Sequence, residues 1–136
     1  EDVSQAFEKI IINFVKQNKY LFSQVDLVVP VPLHKKRFVE RGFNQAQLIA
    51  KIVAREIDKP CQEFVIRSRH TLQQAKLKRE DRLKNVKNAF VLTHNFAGNV
   101  LLIDDVFTTG FTLQECAKVL KQGGAKIVIG FTIARG

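Results

Sequence analysis

The sequence predicts an α/β fold in which a mostly parallel sheet is flanked by helices. Short apolar runs alternate along the chain with segments of helical periodicity, the order expected when strands are joined by crossover helices. Val100-Leu101-Leu102-Ile103 shows neither polar alternation nor helical spacing, so it reads as a strand buried on both faces, as in parallel sheets. With 136 residues and 46% hydrophobic content, the chain suits one domain, residues 1–136, around a single core.

Each element has its own signal. Val3, Phe7, Ile10, Ile11 and Phe14 recur at spacings of three and four and predict a first amphipathic helix. Leu27-Val28-Val29 reads as a strand that must stop at Pro30 and Pro32, because proline cannot donate to a ladder. From about Gly42, the residues Ala46, Ile49, Ala50, Val53 and Ile57 mark a helix ending before Lys59-Pro60, and Phe64-Val65-Ile66 reads as a strand. Residues 67–88 are polar, basic and weakly periodic, a long mobile connection of the kind retained for function. Ala89 to Thr93 is a strand, His94 to Asn99 a turn, Val100 to Asp105 a second buried strand, Leu113 to Lys121 a helix and Ile127 to Ile133 a closing strand. Gly123-Gly124 ends the last helix with residues suited to positive φ.

Composition excludes several classes of protein. No run approaches a membrane span, and Glu1-Asp2 lacks the basic-then-apolar order of a signal peptide, which predicts a soluble, cytoplasmic protein without membrane insertion. The absence of Met places the start of this numbering inside a longer product or after processing. Cys61 and Cys116 are too few and too far apart for a zinc site and read as small buried hydrophobes. His34, His70 and His94 lack metal-ligand spacing and take hydrogen-bonded structural or solvated roles, with contact to a ligand left open for His34 and His70.

The net charge of +9 is concentrated. Residues 35–41 set Lys35, Lys36, Arg37 and Arg41 against Glu40, a net +3. Residues 67–88 set eight cations against Glu80 and Asp81, a net +6, so these two segments hold the whole excess. A charge gathered in this way fits an anionic ligand, either a sugar phosphate or a nucleic-acid strand; a solvated basic face is the alternative for the longer segment.

The most informative stretch is Val100-Leu101-Leu102-Ile103-Asp104-Asp105-Val106-Phe107-Thr108-Thr109-Gly110-Phe111-Thr112. Two carboxylates close a buried strand, where open α/β sheets collect ligands, and burying both unpaired would cost several kcal/mol. They therefore face solvent, a cation or sugar hydroxyls. The Thr/Gly turn then opens a helix near Thr112, whose free backbone N–H groups suit a phosphate.

This 13-residue stretch resembles the phosphoribosyl pyrophosphate (PRPP) loop of type I phosphoribosyltransferases. Val29-Pro30-Val31-Pro32-Leu33 followed by basic residues, Arg41-Gly42-Phe43-Asn44-Gln45, and Thr71, Gln74, Arg82, Asn85, Val86 and Phe90 at their spacings are similar to the ComF family, which is associated with competence for DNA uptake. That resemblance spans roughly residues 3–135. ComF proteins often carry an N-terminal cysteine-rich zinc-binding segment, which these residues do not include.

The resemblance implies a type I phosphoribosyltransferase-like fold and a set of roles. Asp104 and Asp105 would be the catalytic residues, hold the ribose hydroxyls and help to order Mg²⁺, indirectly or through the ligand. Val106, Phe107, Thr108, Thr109, Gly110, Phe111 and Thr112 would form the PRPP and phosphate loop. Val31, Pro32, Leu33, His34, Lys35, Lys36 and Arg37 would lie beside the pyrophosphate. Residues 67–88 would form a flexible hood, with Arg69, Gln74, Lys76, Lys78, Arg79, Arg82 and Lys84 facing ligand or nucleic acid. Phe107 and Phe111 are candidates for a base pocket or for core packing. Two functions stay open: transfer of ribose 5-phosphate from PRPP to an acceptor, or a non-catalytic module that handles single-stranded DNA in competence, alongside proteins of the competence machinery.

Overall fold

A computed structural model describes residues 3–32, 45–68, 89–107 and 109–135. Helix α1 (Val3–Gln17) and a 3₁₀ turn at Lys19–Phe22 lead to strand β1 (Leu27–Pro30). Helix α2 (Gln45–Ile57), strands β2 (Val65–Arg67) and β3 (Phe90–Leu92), strand β4 (Asn99–Phe107), helix α3 (Phe111–Gln122) and strand β5 (Ile127–Arg135) follow.

The apolar runs form the middle of the sheet. Strands β1, β4 and β5 pair in parallel in that order, with Leu27 opposite Val100 and Asn99 opposite Ile127. Strand alternation sends successive side chains to opposite faces, and both faces of β1 and β4 are covered. Val28, Leu101 and Ile103 pack with Ile11 and Val15 of α1 and Ile49 and Val53 of α2. Leu27, Val29, Val100 and Leu102 pack on the other face with Cys116 and Leu120 of α3. Two-sided burial explains the unbroken apolar run in β4. Strand β5 lies at the edge of this sheet, and Ile127, Ile129 and Ile133 are exposed there.

Helix ends follow their local chemistry. Asp58, at φ +55°, stops α2, while the amides of Asp58 and Lys59 donate to the carbonyls of Arg55 and Ala54. The same closure ends α3 through Gly124 and Ala125, which donate to Lys121 and Leu120. Of the glycine pair expected to adopt positive φ, only Gly124 does so, at +110°. Gly123 has an ordinary φ of −87°, and its lack of a side chain answers instead to Leu92 of β3, with which a Cβ would collide.

One sheet expectation needs correction. The strands read at 64–66 and 89–93 do not join the parallel sheet; β2 and β3 pair antiparallel in a separate ribbon, Val65 opposite Leu92 and Arg67 opposite Phe90. Each strand of the ribbon buries one face, Val65 and Phe90 against the α3 side of the core, and leaves Ile66 and Val91 exposed. A ribbon with one solvated face is an antiparallel arrangement by nature. Cys61 is only partly buried, bridging by its backbone to Val28, whereas Cys116 is fully buried.

Candidate functional site

The carboxyl ends of β1 and β4 reach the same edge of the sheet, where the Val31 amide donates to the Ile103 carbonyl at 2.8 Å. The chain leaves β1 toward α2, which covers one face, and leaves β4 toward α3, which covers the other. Neighbouring parallel strands whose connections depart to opposite faces open a crevice between them, the usual ligand position in such sheets. Val31, Pro32, Asp104 and Asp105 border this crevice.

Strand alternation separates the acid pair. Asp104 lies on the face of Leu102 and α3, and Asp105 on the face of Ile103 and α2. Both are partly buried, and the Asp105 amide donates to Asp104 Oδ1 at 2.8 Å. Burial, then the neighbouring Asp105 carboxyl, pushes the Asp104 carboxyl up to about 7, with Arg67 pulling the other way. Near neutral pH, Asp104 is thus poised to give up its proton when a cation takes its place. Cys116 lies under Asp104 on α3, and burial pushes its thiol up, so it stays protonated and inert, as a small buried hydrophobe should.

The turn after β4 has the shape its sequence implies. Gly110 stands at φ +83°, a left-handed conformation that a side chain would disfavour, and is the N-cap of α3. Thr109 Oγ1 accepts from the Phe111 amide at 3.3 Å, and the Gly110 carbonyl accepts the Gln114 amide at 3.0 Å. The helix begins at Phe111, one residue before the expected Thr112, and its first turn carries no acid that would repel an anion.

Arg67, counted in the sequence only as one charge of a basic segment, belongs to this site. It ends β2, donates from Nε to the Pro32 carbonyl at 2.9 Å and holds its guanidinium 4.8 Å from the centre of the Phe90 ring. Its field reaches both Asp104 and Cys116. Its sequence signal was weak, an arginine closing a short strand.

Leu33, His34, Lys35, Lys36, Arg37, Thr108 and the segment containing Arg69, Gln74, Lys76, Lys78, Arg79, Arg82 and Lys84 lie outside the described residues, as does His70. Val106 and Phe107 are described by their backbone alone, opposite Ala134 and Arg135 of β5. His94 takes the structural role expected of it, 4.9 Å from the Phe64 ring centre with Nδ1 3.0 Å from Thr93 Oγ1.

Residues 44–136 match the family model described as phosphoribosyl transferase domain. The chain belongs to the phosphoribosyltransferase family. Over 115 residues it is 39% identical to Competence protein F of Haemophilus influenzae, covering 81% of this chain and 50% of that protein. It is 40% identical over 112 residues to Competence protein ComFC of Bacillus subtilis, covering 80% and 44%. DNA utilization protein YhgH of Escherichia coli is 39% identical over 114 residues, covering 81% and 49%. These relatives place the chain in the ComF group of phosphoribosyltransferases. The chain spans about half of their length. In structure it is similar to adenine phosphoribosyltransferase of Saccharomyces cerevisiae, with a TM-score of 0.63 and 13% identity over 96% of this chain and 68% of that one. Purine phosphoribosyltransferase of Pyrococcus horikoshii gives 0.59 and 16%, over 94% and 72%. At these identities the likeness is one of fold, and the expected type I phosphoribosyltransferase fold is the one observed.

The acids at this crevice bear on the expected metal. Among the described residues, no group of three or more His, Cys, Asp or Glu side chains could hold a metal ion by itself. Two carboxylates at an open edge suit an ion that keeps waters and shares phosphate oxygens with a ligand, the usual habit of Mg²⁺. The raised Asp104 carboxyl fits this, since a cation would take the place of its proton. No helix among the described residues is long and apolar enough to cross a membrane.

Proposed function

We propose that the crevice at the ends of β1 and β4 binds PRPP together with Mg²⁺ and transfers ribose 5-phosphate to an acceptor. The observation that carries the reading is the direct succession of a buried strand, two acids and a left-handed glycine opening a helix, at the point where the two connections part. In this reading the α3 N-terminus and the turn through Thr109, Gly110 and Thr112 bind the 5′-phosphate through backbone amides. Asp104 and Asp105 accept hydrogen bonds from the ribose hydroxyls and hold Mg²⁺ through the ligand. Val31, Pro32 and the residues following them, through Arg37, face the pyrophosphate.

The acceptor's lone pair forms the new bond to the anomeric carbon as the carbon–oxygen bond breaks, and that electron pair leaves with pyrophosphate. Mg²⁺, when bound, neutralises the developing charge on pyrophosphate. The protein contributes position and electrostatics: carboxylates beside a ring that gains positive character, and amides fixed on the phosphate. No nucleophilic side chain is needed.

Titration calorimetry with PRPP, with and without Mg²⁺, tests the binding. Asp104→Ala or Asp105→Ala should weaken it at least tenfold, about 1.4 kcal/mol, and equal affinity without the metal would overturn the assignment. Pyrophosphate release from PRPP across a panel of bases then tests turnover. A second reading rests on the relatives' names, competence and DNA utilization proteins, and on the net +6 of residues 67–88. In it the protein serves DNA uptake in the cytoplasm, binding single-stranded DNA along that segment with little or no catalysis, beside other competence proteins.

A further inference from the structure

We infer that Arg67 is a positioning residue that tethers the exit of β1 and so holds the Val31-Pro32 segment in place for pyrophosphate. The inference rests on the assignment of that segment to pyrophosphate under the proposed function.

Pro32 follows the last strand residue by two positions, and its ring leaves it no amide with which to anchor itself to a neighbour. Among the described residues, the last ladder contact of this exit is the Val31 amide on the Ile103 carbonyl, at 2.8 Å. Beyond it, Arg67 supplies an anchor from a different element, Nε on the Pro32 carbonyl at 2.9 Å across 35 residues of sequence. The anchor is itself fixed. The guanidinium stacks on Phe90, which is buried on the neighbouring strand of the ribbon, and the ribbon packs against the α3 side of the core. A guanidinium held against a ring has few rotamers left, so the donor is pre-set and the Val31-Pro32 backbone does not have to be ordered when ligand arrives. The tether thereby joins the two halves of the site: the ribbon rests on α3, whose N-terminus is the phosphate end, and holds β1's exit, the pyrophosphate end.

Gln separates the tether from the charge, because its amide nitrogen follows Cα by the same number of bonds as the arginine Nε. Arg67→Gln keeps a donor for Pro32 and removes the cation; Arg67→Ala removes both. On the full chain, binding of inorganic pyrophosphate with Mg²⁺ and of ribose 5-phosphate is measured by calorimetry, and exchange of the Val31 amide is followed by NMR without ligand. Arg67→Ala should weaken pyrophosphate at least fivefold, change ribose 5-phosphate less than twofold and speed Val31 exchange at least fivefold. Arg67→Gln, which keeps the donor but loses the guanidinium's hold on Phe90, should fall clearly between the Ala variant and the parent in pyrophosphate binding and Val31 exchange and leave ribose 5-phosphate within twofold. A Gln variant as weak for pyrophosphate as the Ala variant would show that the charge acts, and parent-like Val31 exchange in Arg67→Ala would show that there is no tether; either overturns the inference. Should the parent bind neither ligand, the proposed function falls, and Val31 exchange alone decides the role of Arg67.

Discussion

Replacing Asp104 with asparagine should stabilise the unliganded protein in neutral and alkaline solution and leave it nearly unchanged in acid. Burial and the Asp105 carboxyl hold Asp104 at about 7 in the folded chain, against about 3.9 for an aspartate in an unfolded one. The folded state therefore keeps its proton more tightly than the unfolded state. Stability linked to this group is complete below about pH 4, falls as pH rises from there to about 7, and is constant above. The full span corresponds to ~4 kcal/mol, and the partial exposure of Asp104 reduces the expected cost to ~2–3 kcal/mol. Asparagine has nearly the same shape and can still accept the Asp105 amide at Oδ1, but it cannot ionise. Thermal unfolding at pH 8 and pH 4.5, without divalent cations, makes the comparison. At pH 8 the variant should melt about 8–10 °C higher, taking ~3–4 °C per kcal/mol for a domain of this size. At pH 4.5 the difference should shrink to a small fraction of that. A gain equal at both pH values would mean that asparagine merely packs better, and no gain at pH 8 would mean that the native Asp104 carboxyl is not raised. The variant should bind ligand worse, since sites that hold charge for function give up stability to do so.

Three further outcomes are expected. Gly110→Val places a β-branched side chain at φ +83°, a strain of ~1–2 kcal/mol or more, and should abolish ribose 5-phosphate binding while the circular dichroism of the fold persists; unchanged binding would remove the turn from the phosphate site. Gly123→Ala sets a Cβ against the end of the flexible, partly exposed Leu92 side chain, which can swing aside, and should lower stability by no more than ~1 kcal/mol, read by urea unfolding; a larger loss would show that Leu92 is pinned against the ribbon. Neutralising Lys76, Lys78, Arg79 and Lys84 together should weaken single-stranded DNA binding and flatten its dependence on salt. Fluorescence anisotropy that detects no binding by the parent at about 50 mM salt, or no effect of the four substitutions, would reject DNA handling by that segment.

The amino-acid sequence by itself determined the parallel α/β architecture and the place of the candidate site, because both are written in neighbouring residues. Helical spacing in α1 and α2, two-sided apolar runs in β1 and β4, and the unbroken order of acids, threonines and glycine before α3 are local patterns, and the structure carries each within a residue or two of its expected position. What lies far apart in sequence was decided by tertiary structure. The strand segments at 65–67 and 90–92 have apolar character but no local sign of direction, and their antiparallel pairing appears only when they meet. Gly123 reads like any helix-ending glycine, and the reason for it is the side chain of Leu92 on another element. Asp104 and Asp105 look alike in the chain; strand alternation turns them to opposite faces, and the neighbours gathered around Asp104 raise its affinity for a proton. Arg67 is one cation among eight in its segment until folding sets it between Pro32 and Phe90. Periodicity and motif act over a few residues, whereas proton affinity, stacking and tethering depend on which side chains the fold brings within a few ångströms.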